Sequence, residues 1–317
     1  MSTLRIAFFG TPEIAVPTLE RLIEGPHAVE VVVSQPDRER GRGRKVSASP
    51  VARVAEREGI PLLRPERIGD RECIAQLQAQ APDLGVVVAF GQFIPQRVRE
   101  LPRLGYLINA HASLLPRHRG AAPIARAILA GDSQTGISVM RVEREMDAGP
   151  VALVLETTIG IDEEAGQLSA RLGPLAADAI ADAIDQIEAG AVAWTDQDPL
   201  DATLAPKLTK HDARLDFGQD AASLVRRVRA LAPSPGAVTS LAGEPLRILA
   251  AAAANGPATG TPGTTRLESD GSLRIATADG WLVPTRIQRA GGKPLETRAF
   301  LRGRAIPDGT RLGEELP

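Results

Sequence analysis

The sequence has a single cysteine, Cys73, and only four histidines, His27, His111, His118 and His211, spread along its length. One thiol excludes an internal disulfide framework and any cysteine-built metal site, and histidines so scattered carry no signature of zinc ligation. Aromatic residues make up 3% of the chain, which excludes stacking on aromatic platforms as the main way of holding a nucleic acid. No apolar run reaches the roughly 20 residues needed to span a bilayer, and no basic segment precedes the first strand-like run. The reading is therefore a cytoplasmic protein without a membrane segment or signal peptide. A dinucleotide fingerprint is missing too: the first strand-like run ends in Gly10-Thr11-Pro12, which does not complete Gly-x-Gly-x-x-Gly.

What is present is an ordinary globular composition, 43% hydrophobic and 24% charged, in 317 residues. That length predicts two domains and a sizeable core. The net charge of −2 conceals an asymmetry: residues 207–317 hold 16 Lys+Arg against 11 Asp+Glu, whereas 162–201 hold ten acids and one base, Arg171. A basic carboxy-terminal module on an acidic partner domain points to a polyanionic ligand for the former.

Residues 4–9 read as a buried strand, and 13–24 show helical spacing of Ile14, Leu19, Leu22 and Ile23. A strand is expected over 28–34, a helix over 50–58, a short strand at Leu62-Leu63, a helix over 70–79 and a buried strand over 84–89 before Phe90-Gly91. Strands alternating with helices imply βαβ units. The predicted fold is α/β, a Rossmann-like twisted, mainly parallel sheet flanked by helices. Ligands of such sheets sit at the carboxyl ends of the strands, where Gly10, Phe90-Gly91 and the 109–111 stretch all fall. A helix over 124–130, strands over 135–142 and 150–157, and a long helix over 164–189 complete a first domain at 1–190.

Residues 191–206, rich in Asp, Pro and Thr, read as a linker, and the pattern changes over 207–317. A helix near 221–231 carries Arg226, Arg227 and Arg229, and short strand-like runs follow at 237–241, 245–250, 273–277 and 281–288. Gly and Pro turns between such runs suggest a small OB-like β-barrel. The alanine-rich 250–263 is expected as a loop in it.

The most informative stretch is Tyr106 to Pro116. Asn109 and His111 alternate on one strand, so both side chains leave the same face and can converge. An amide able to donate to a developing oxyanion, beside an imidazole able to carry a proton, is a minimal kit for acyl transfer; a lone histidine at a strand end otherwise pairs with a backbone carbonyl. Asp147, in the turn Met146-Asp147-Ala148-Gly149, is the third polar group placed at this site, although aspartate before such a turn also caps neighbouring amides. The loop 35–47 holds Arg38, Arg40, Arg42, Arg44 and Lys45 within eight residues, against Glu39. Gly41 and Gly43 are read as denying it regular structure, and its arginines suit two-donor contacts with phosphates.

Asn109-Ala110-His111, followed by Ser113-Leu114-Leu115-Pro116, Arg119-Gly120-Ala121-Ala122-Pro123, Thr135-Gly136 and Met146-Asp147-Ala148-Gly149, resembles the folate-dependent formyltransferases. The resemblance runs nearly end to end, from Phe9-Gly10-Thr11-Pro12 through Gln35-Pro36-Asp37-Arg38 and Gly41-Arg42-Gly43 to Lys207-Leu208 and the Pro233-x-Pro235 turn, and is closest to members that act on methionyl-tRNA. It implies that Asn109, His111 and Asp147 are the catalytic set. It implies further that Ser113, Leu114, Leu115 and Pro116 line the site of 10-formyltetrahydrofolate over a floor of Phe90, Gly91 and Ile94. Arg38, Arg40, Arg42, Arg44 and Lys45 would grip the phosphates of initiator methionyl-tRNA, whose α-amine receives the formyl group. No metal is needed, and without an exposed apolar stripe a monomer is expected. The chain departs from the family at His118 and at Ser234, both usually aromatic. The same trio would serve a formyltransferase of a sugar-nucleotide or purine-precursor amine, or a hydrolase releasing formate from the folate. A non-enzymatic RNA-binding protein would need only the barrel.

Overall fold

The computed structural model describes residues 3–40 and 45–313. The chain forms two compact units, one of Met1–Pro123, Gln134–Thr158 and Ser169–Pro206, the other of Ile124–Ser133, Ile159–Leu168 and Lys207–Pro317. Among the described residues no helix is long and apolar enough to cross a membrane.

Strand and helix alternate as βαβ units require: β1 (Arg5–Gly10), α1 (Val16–Glu24), β2 (Ala28–Val33), the short strands β3 (Arg38–Arg40) and β4 (Lys45–Ser47), α2 (Pro50–Arg57), β5 (Leu62–Leu63), α3 (Arg71–Ala79), β6 (Leu84–Val88), α4 (Gln96–Arg99) and β7 (Leu107–His111). After α5 (Pro123–Ala130) come β8 (Gln134–Arg141), β9 (Val151–Thr158) and the long α6 (Ala165–Glu188). Seven strands form one sheet in the order β5-β2-β1-β6-β7-β8-β9. The first five in that order run parallel, and β8 and β9 are antiparallel to their neighbours. Every residue of β6 and all but the first of β1 are buried, which explains why both read as continuous apolar runs. On one face Ala7, Phe9, Val87 and Leu107 pack with Cys73 and Leu77 of α3. Burial, helped by Asp70 and Glu72, pushes the Cys73 thiol up to about 11, so the one cysteine fills the core and is not a nucleophile.

The strand order reverses between β1 and β6, with β2 and β5 to one side and β7 to the other. Such a reversal opens a crevice at the carboxyl ends. Here three loops are tied together: the Thr11 hydroxyl donates to the Phe90 carbonyl at 3.0 Å, and Gln35 Nε2 donates to the same oxygen at 3.2 Å. The stretch 35–47 differs from expectation. Arg38 faces Ser47 and Arg40 faces Lys45 in an antiparallel ladder, because Gly41 and Gly43 lie between the paired segments and not within them.

The second unit adds α7 (Lys210–Ala213), α8 (Ala221–Leu231), β10 (Ala237–Leu241), β11 (Glu244–Ala254), β12 (Thr265–Leu267), β13 (Leu273–Ala276), β14 (Trp281–Arg289), β15 (Leu295–Glu296) and α9 (Thr297–Gly303). The antiparallel sheet runs β10-β11-β14-β13-β12, with β15 on β14. The segment 310–313 bonds to both ends of this path: Thr265 N–H donates to Thr310 O at 2.8 Å and Gly313 N–H to Ser240 O at 3.1 Å. The sheet thus curls on itself as a small barrel does. Leu224, Val228 and Leu231 of α8 recur at helical spacing and are fully buried against Ile248, Leu282 and Ile287.

The loop expected over 250–263 is corrected at its start, since β11 continues to Ala254, with Ala251 facing Pro284 and Ala254 facing Trp281. Alanine has little strand preference of its own, and the pairing with β14 overrides it.

Candidate active site

β7 carries Asn109 and His111 to the carboxyl edge of the sheet, where Asn109 pairs in register with Val87 on one side and Met140 on the other. Asn109 is half-buried, and among the described residues its carboxamide has no hydrogen-bond partner. His111 is 6% exposed. Its Nε2 lies 2.9 Å from the His118 carbonyl; a carbonyl only accepts, so the proton on this nitrogen is fixed there. Nδ1 is then the nitrogen able to take and give a proton, and it faces Asp147 Oδ2 at 3.6 Å.

Asp147 reaches this position by a return path. The connection 142–150 leaves β8 beside Leu107, where Val142 N–H donates to Leu107 O at 2.9 Å, and then carries Asp147 back to His111. There Asp147 Oδ2 accepts the Gly120 N–H at 2.8 Å. Gly120 has φ +127°, and a Cβ on it would stand 2.7 Å from the Ala205 carbonyl oxygen; glycine is required on both counts.

Two contributors escape the sequence reading. Gln197 Nε2 donates to the carbonyls of Asp147 at 2.8 Å and Gly149 at 2.7 Å, and its Oε1 accepts from Arg119 Nε at 3.0 Å. Thr203 Oγ1 accepts the His118 N–H at 2.9 Å. Both bond largely to backbone groups distant in sequence and so leave no motif.

Of the residues assigned to a folate, Phe90 and Ile94 are 2% and 6% exposed and belong to the core below the site, with Phe90 edge-on to Phe9 at 5.8 Å. Gly91 is exposed with φ +83°. Leu114, Leu115 and Pro116 are half-buried, and the Leu115–Pro116 bond is cis. Ser113 has no exposed surface, and its hydroxyl donates to the Arg117 carbonyl at 2.6 Å. It braces this turn from beneath. Arg38 is exposed; Arg40 and Lys45 lie on the β3–β4 ladder, and Arg42 and Arg44 fall outside the described residues. His118, at one of the two departures, is buried with φ +61°, and Ser234, at the other, is exposed between two cis prolines.

One group that a cation could use has no signature in the sequence. Among the described residues, His27, Asp185 and Glu188 bring ligand atoms within 4.8 Å of one another. His27 Nδ1 already accepts the Leu4 N–H at 3.3 Å, which leaves the neutral ring its proton on Nε2, the wrong form for ligation. None of the three belongs to the set around His111.

A donor amide without a partner among the described residues, a buried imidazole and a carboxylate together can stabilise an anion forming on a carbonyl oxygen and move a proton beside it. Residues 4–184 match the family model for formyl transferase, and residues 207–305 match that for the formyl transferase C-terminal domain. The chain belongs to the formyl transferase family. A methionyl-tRNA formyltransferase of Halorhodospira halophila is 45% identical over 305 residues, covering 96% of this chain and 98% of that one. Among solved formyltransferase structures, the N-formyltransferase of Helicobacter canadensis, in complex with folinic acid and dTDP-3-aminofucose, gives a TM-score of 0.66 at 16% identity, over 90% of this chain and all of that one. HypX of Aquifex aeolicus, in complex with tetrahydrofolic acid, gives a TM-score of 0.65 at 19% identity over 97% of this chain, which spans 49% of that longer protein. At such identities the two structures share the fold with this formyltransferase and say nothing of its acceptor.

Proposed function

We propose that this formyltransferase moves the formyl group of 10-formyltetrahydrofolate to the α-amine of initiator methionyl-tRNA. The observation that carries the reading is the end-to-end match to a methionyl-tRNA formyltransferase, 45% identical over 96% of this chain and 98% of that protein. The fold alone is shared with an enzyme whose structure holds a sugar nucleotide, so it does not select the acceptor. In this reading the reaction takes place in the cytoplasm and the chain acts as a monomer.

In this reading the methionyl amine attacks the formyl carbon, a C–N bond forms, and the bond to the folate nitrogen breaks. Asn109, whose carboxamide is unengaged among the described residues, donates to the formyl oxygen as charge develops on it. His111 uses Nδ1 to carry the proton lost by the attacking amine to the departing folate nitrogen. Asp147, 3.6 Å from that nitrogen, orients the ring and offsets its positive charge. Leu114, Leu115, Pro116 and Gly91 border the folate above the Phe90 and Ile94 floor, and the arginines at 38–44 with Lys45 hold tRNA phosphates.

The test is formyl transfer from 10-formyltetrahydrofolate to initiator methionyl-tRNA, with elongator methionyl-tRNA as competitor acceptor and Asn109→Ala as control. Transfer to the initiator, reduced about 10²- to 10³-fold in the control, is the expected result. Consumption of the folate with no formylated tRNA would overturn the acceptor and favour a sugar amine or water.

A further inference from the structure

We propose that residues 197–203 form a strap across the active site and that Gln197 and Thr203 are positioning residues for formyl transfer. The inference rests on reading Asn109, His111 and Asp147 as the catalytic set.

Two non-glycine residues with left-handed backbone flank the His111 ring: Asp147 at φ +51° and His118 at φ +61°. L residues avoid this region, and they keep it only where their surroundings over-determine it. Both are partners of the ring, Asp147 through its carboxylate and His118 through its carbonyl. Each is also tied to the strap.

On one flank, the Gln197 amide bonds to the carbonyls of Asp147 and Gly149, spanning Ala148, at 2.8 and 2.7 Å. On the other, Thr203 takes the His118 N–H on its hydroxyl at 2.9 Å and the Arg119 N–H on its carbonyl at 2.9 Å, while its own N–H donates to Pro116 O at 3.3 Å. Arg119 completes the loop, since its Nε donates to Gln197 Oε1 at 3.0 Å. Thus one short segment sets the backbone on both sides of the imidazole. Neither Gln197 nor Thr203 bonds to the side chains of Asn109, His111 or Asp147, so each acts through the loop that it holds. A passive linker would need none of these bonds.

The test compares Gln197→Met, Thr203→Val and Thr203→Ser, each alone, and Gln197→Met again in an Asp147→Asn background, by steady-state formyl transfer and thermal unfolding. The expected result is a kcat about 10- to 10²-fold lower for Gln197→Met and Thr203→Val, with KM for the folate changed by less than about threefold, as misplacement of reacting groups produces. Thr203→Ser, which keeps the accepting oxygen, should return kcat to within about threefold of the parent. In the Asp147→Asn background, Gln197→Met should add less than about twofold, because a residue acting through Asp147 is not additive with it. Folded variants with unchanged kcat, or an equal loss from Gln197→Met in both backgrounds, would overturn the proposal and leave the segment as scaffold only. Full activity of Asp147→Asn and of His111→Gln would instead overturn the reading of the site, and the strap with it.

Discussion

The Nε2 of His111 is anchored to the backbone carbonyl of His118 at 2.9 Å, which leaves Nδ1 as the nitrogen turned to Asp147. A glutamine at 111 can place its amide nitrogen near the Nε2 position and keep that anchor, but it has nothing in place of Nδ1. His111→Gln is therefore expected to unfold within a few degrees of the parent while losing about 10²- to 10⁴-fold in turnover, the usual range for a lost proton-transfer group. His111→Asn, too short to reach the carbonyl, should lose both stability and activity. Single-turnover transfer with thermal unfolding separates the two, and a fully active His111→Gln would remove the imidazole from the mechanism.

Gly120 is the point where backbone geometry and catalytic geometry meet. Its N–H holds Asp147, and any Cβ would press on the Ala205 carbonyl oxygen at 2.7 Å. Gly120→Ala should cost about 1–3 kcal/mol through backbone strain alone, and it should lower turnover as Asp147 is displaced. Gly59, at φ +68° with nothing within 4 Å of where a Cβ would stand, is the control, where an alanine should affect stability and leave turnover unchanged. Equal turnover of the Gly120→Ala variant and the parent in denaturant-checked, folded samples would disconnect this contact from catalysis.

The buried strands β1 and β6 were legible because parallel strands covered on both faces are written as unbroken apolar runs. Asn109 and His111 were legible for a simpler reason, the two-residue period of a strand. The Asp147 turn could be located, but not the return of the 142–150 connection from Leu107 to His111, which depends on contacts across the sheet. Gln197 and Thr203 were unreadable because they bond mostly to backbone groups, some about 50 and others about 85 positions away, and such bonds impose no pattern on the sequence. Ala251 to Ala254 were misread for the opposite reason: their composition says loop, and the facing strand β14 decides otherwise. The short elements β12, β15 and α9, of three, two and seven residues, are too brief to show a period.

With aromatic residues at 3%, binding of a tRNA must rest on phosphate contacts, and the five bases at 38–45 are the densest source of them. Each phosphate contact contributes about 0.7 to 0.9 to the slope of log affinity against log salt. Replacing Arg38 and Arg40 by glutamine should thus weaken tRNA binding at about 0.1 M salt and flatten the slope by about one to two, with KM for the folate unchanged. A salt-independent affinity in the parent chain would count against phosphate-led binding altogether.

In the second unit, Asp212 is held by Arg126 at 2.8 Å and by the Thr209 amide at 2.8 Å and hydroxyl at 2.7 Å. Burial works against its ionisation, yet the Arg126 guanidinium and the Thr209 donors outweigh it and keep the carboxyl well below the usual carboxylate range. A carboxylate with a lowered folded-state value stabilises above its unfolded value, about 3.9, and that stability is lost as pH falls through the folded value. Arg126→Met should therefore cost about 2 kcal/mol near pH 7, the scale of a charge-assisted bond. The difference between parent and variant should persist down to about pH 4 and shrink below it. Urea unfolding at pH 7, 4 and 2.5 checks this, and a difference that grows as the pH falls would show that Arg126 acts through some other contact.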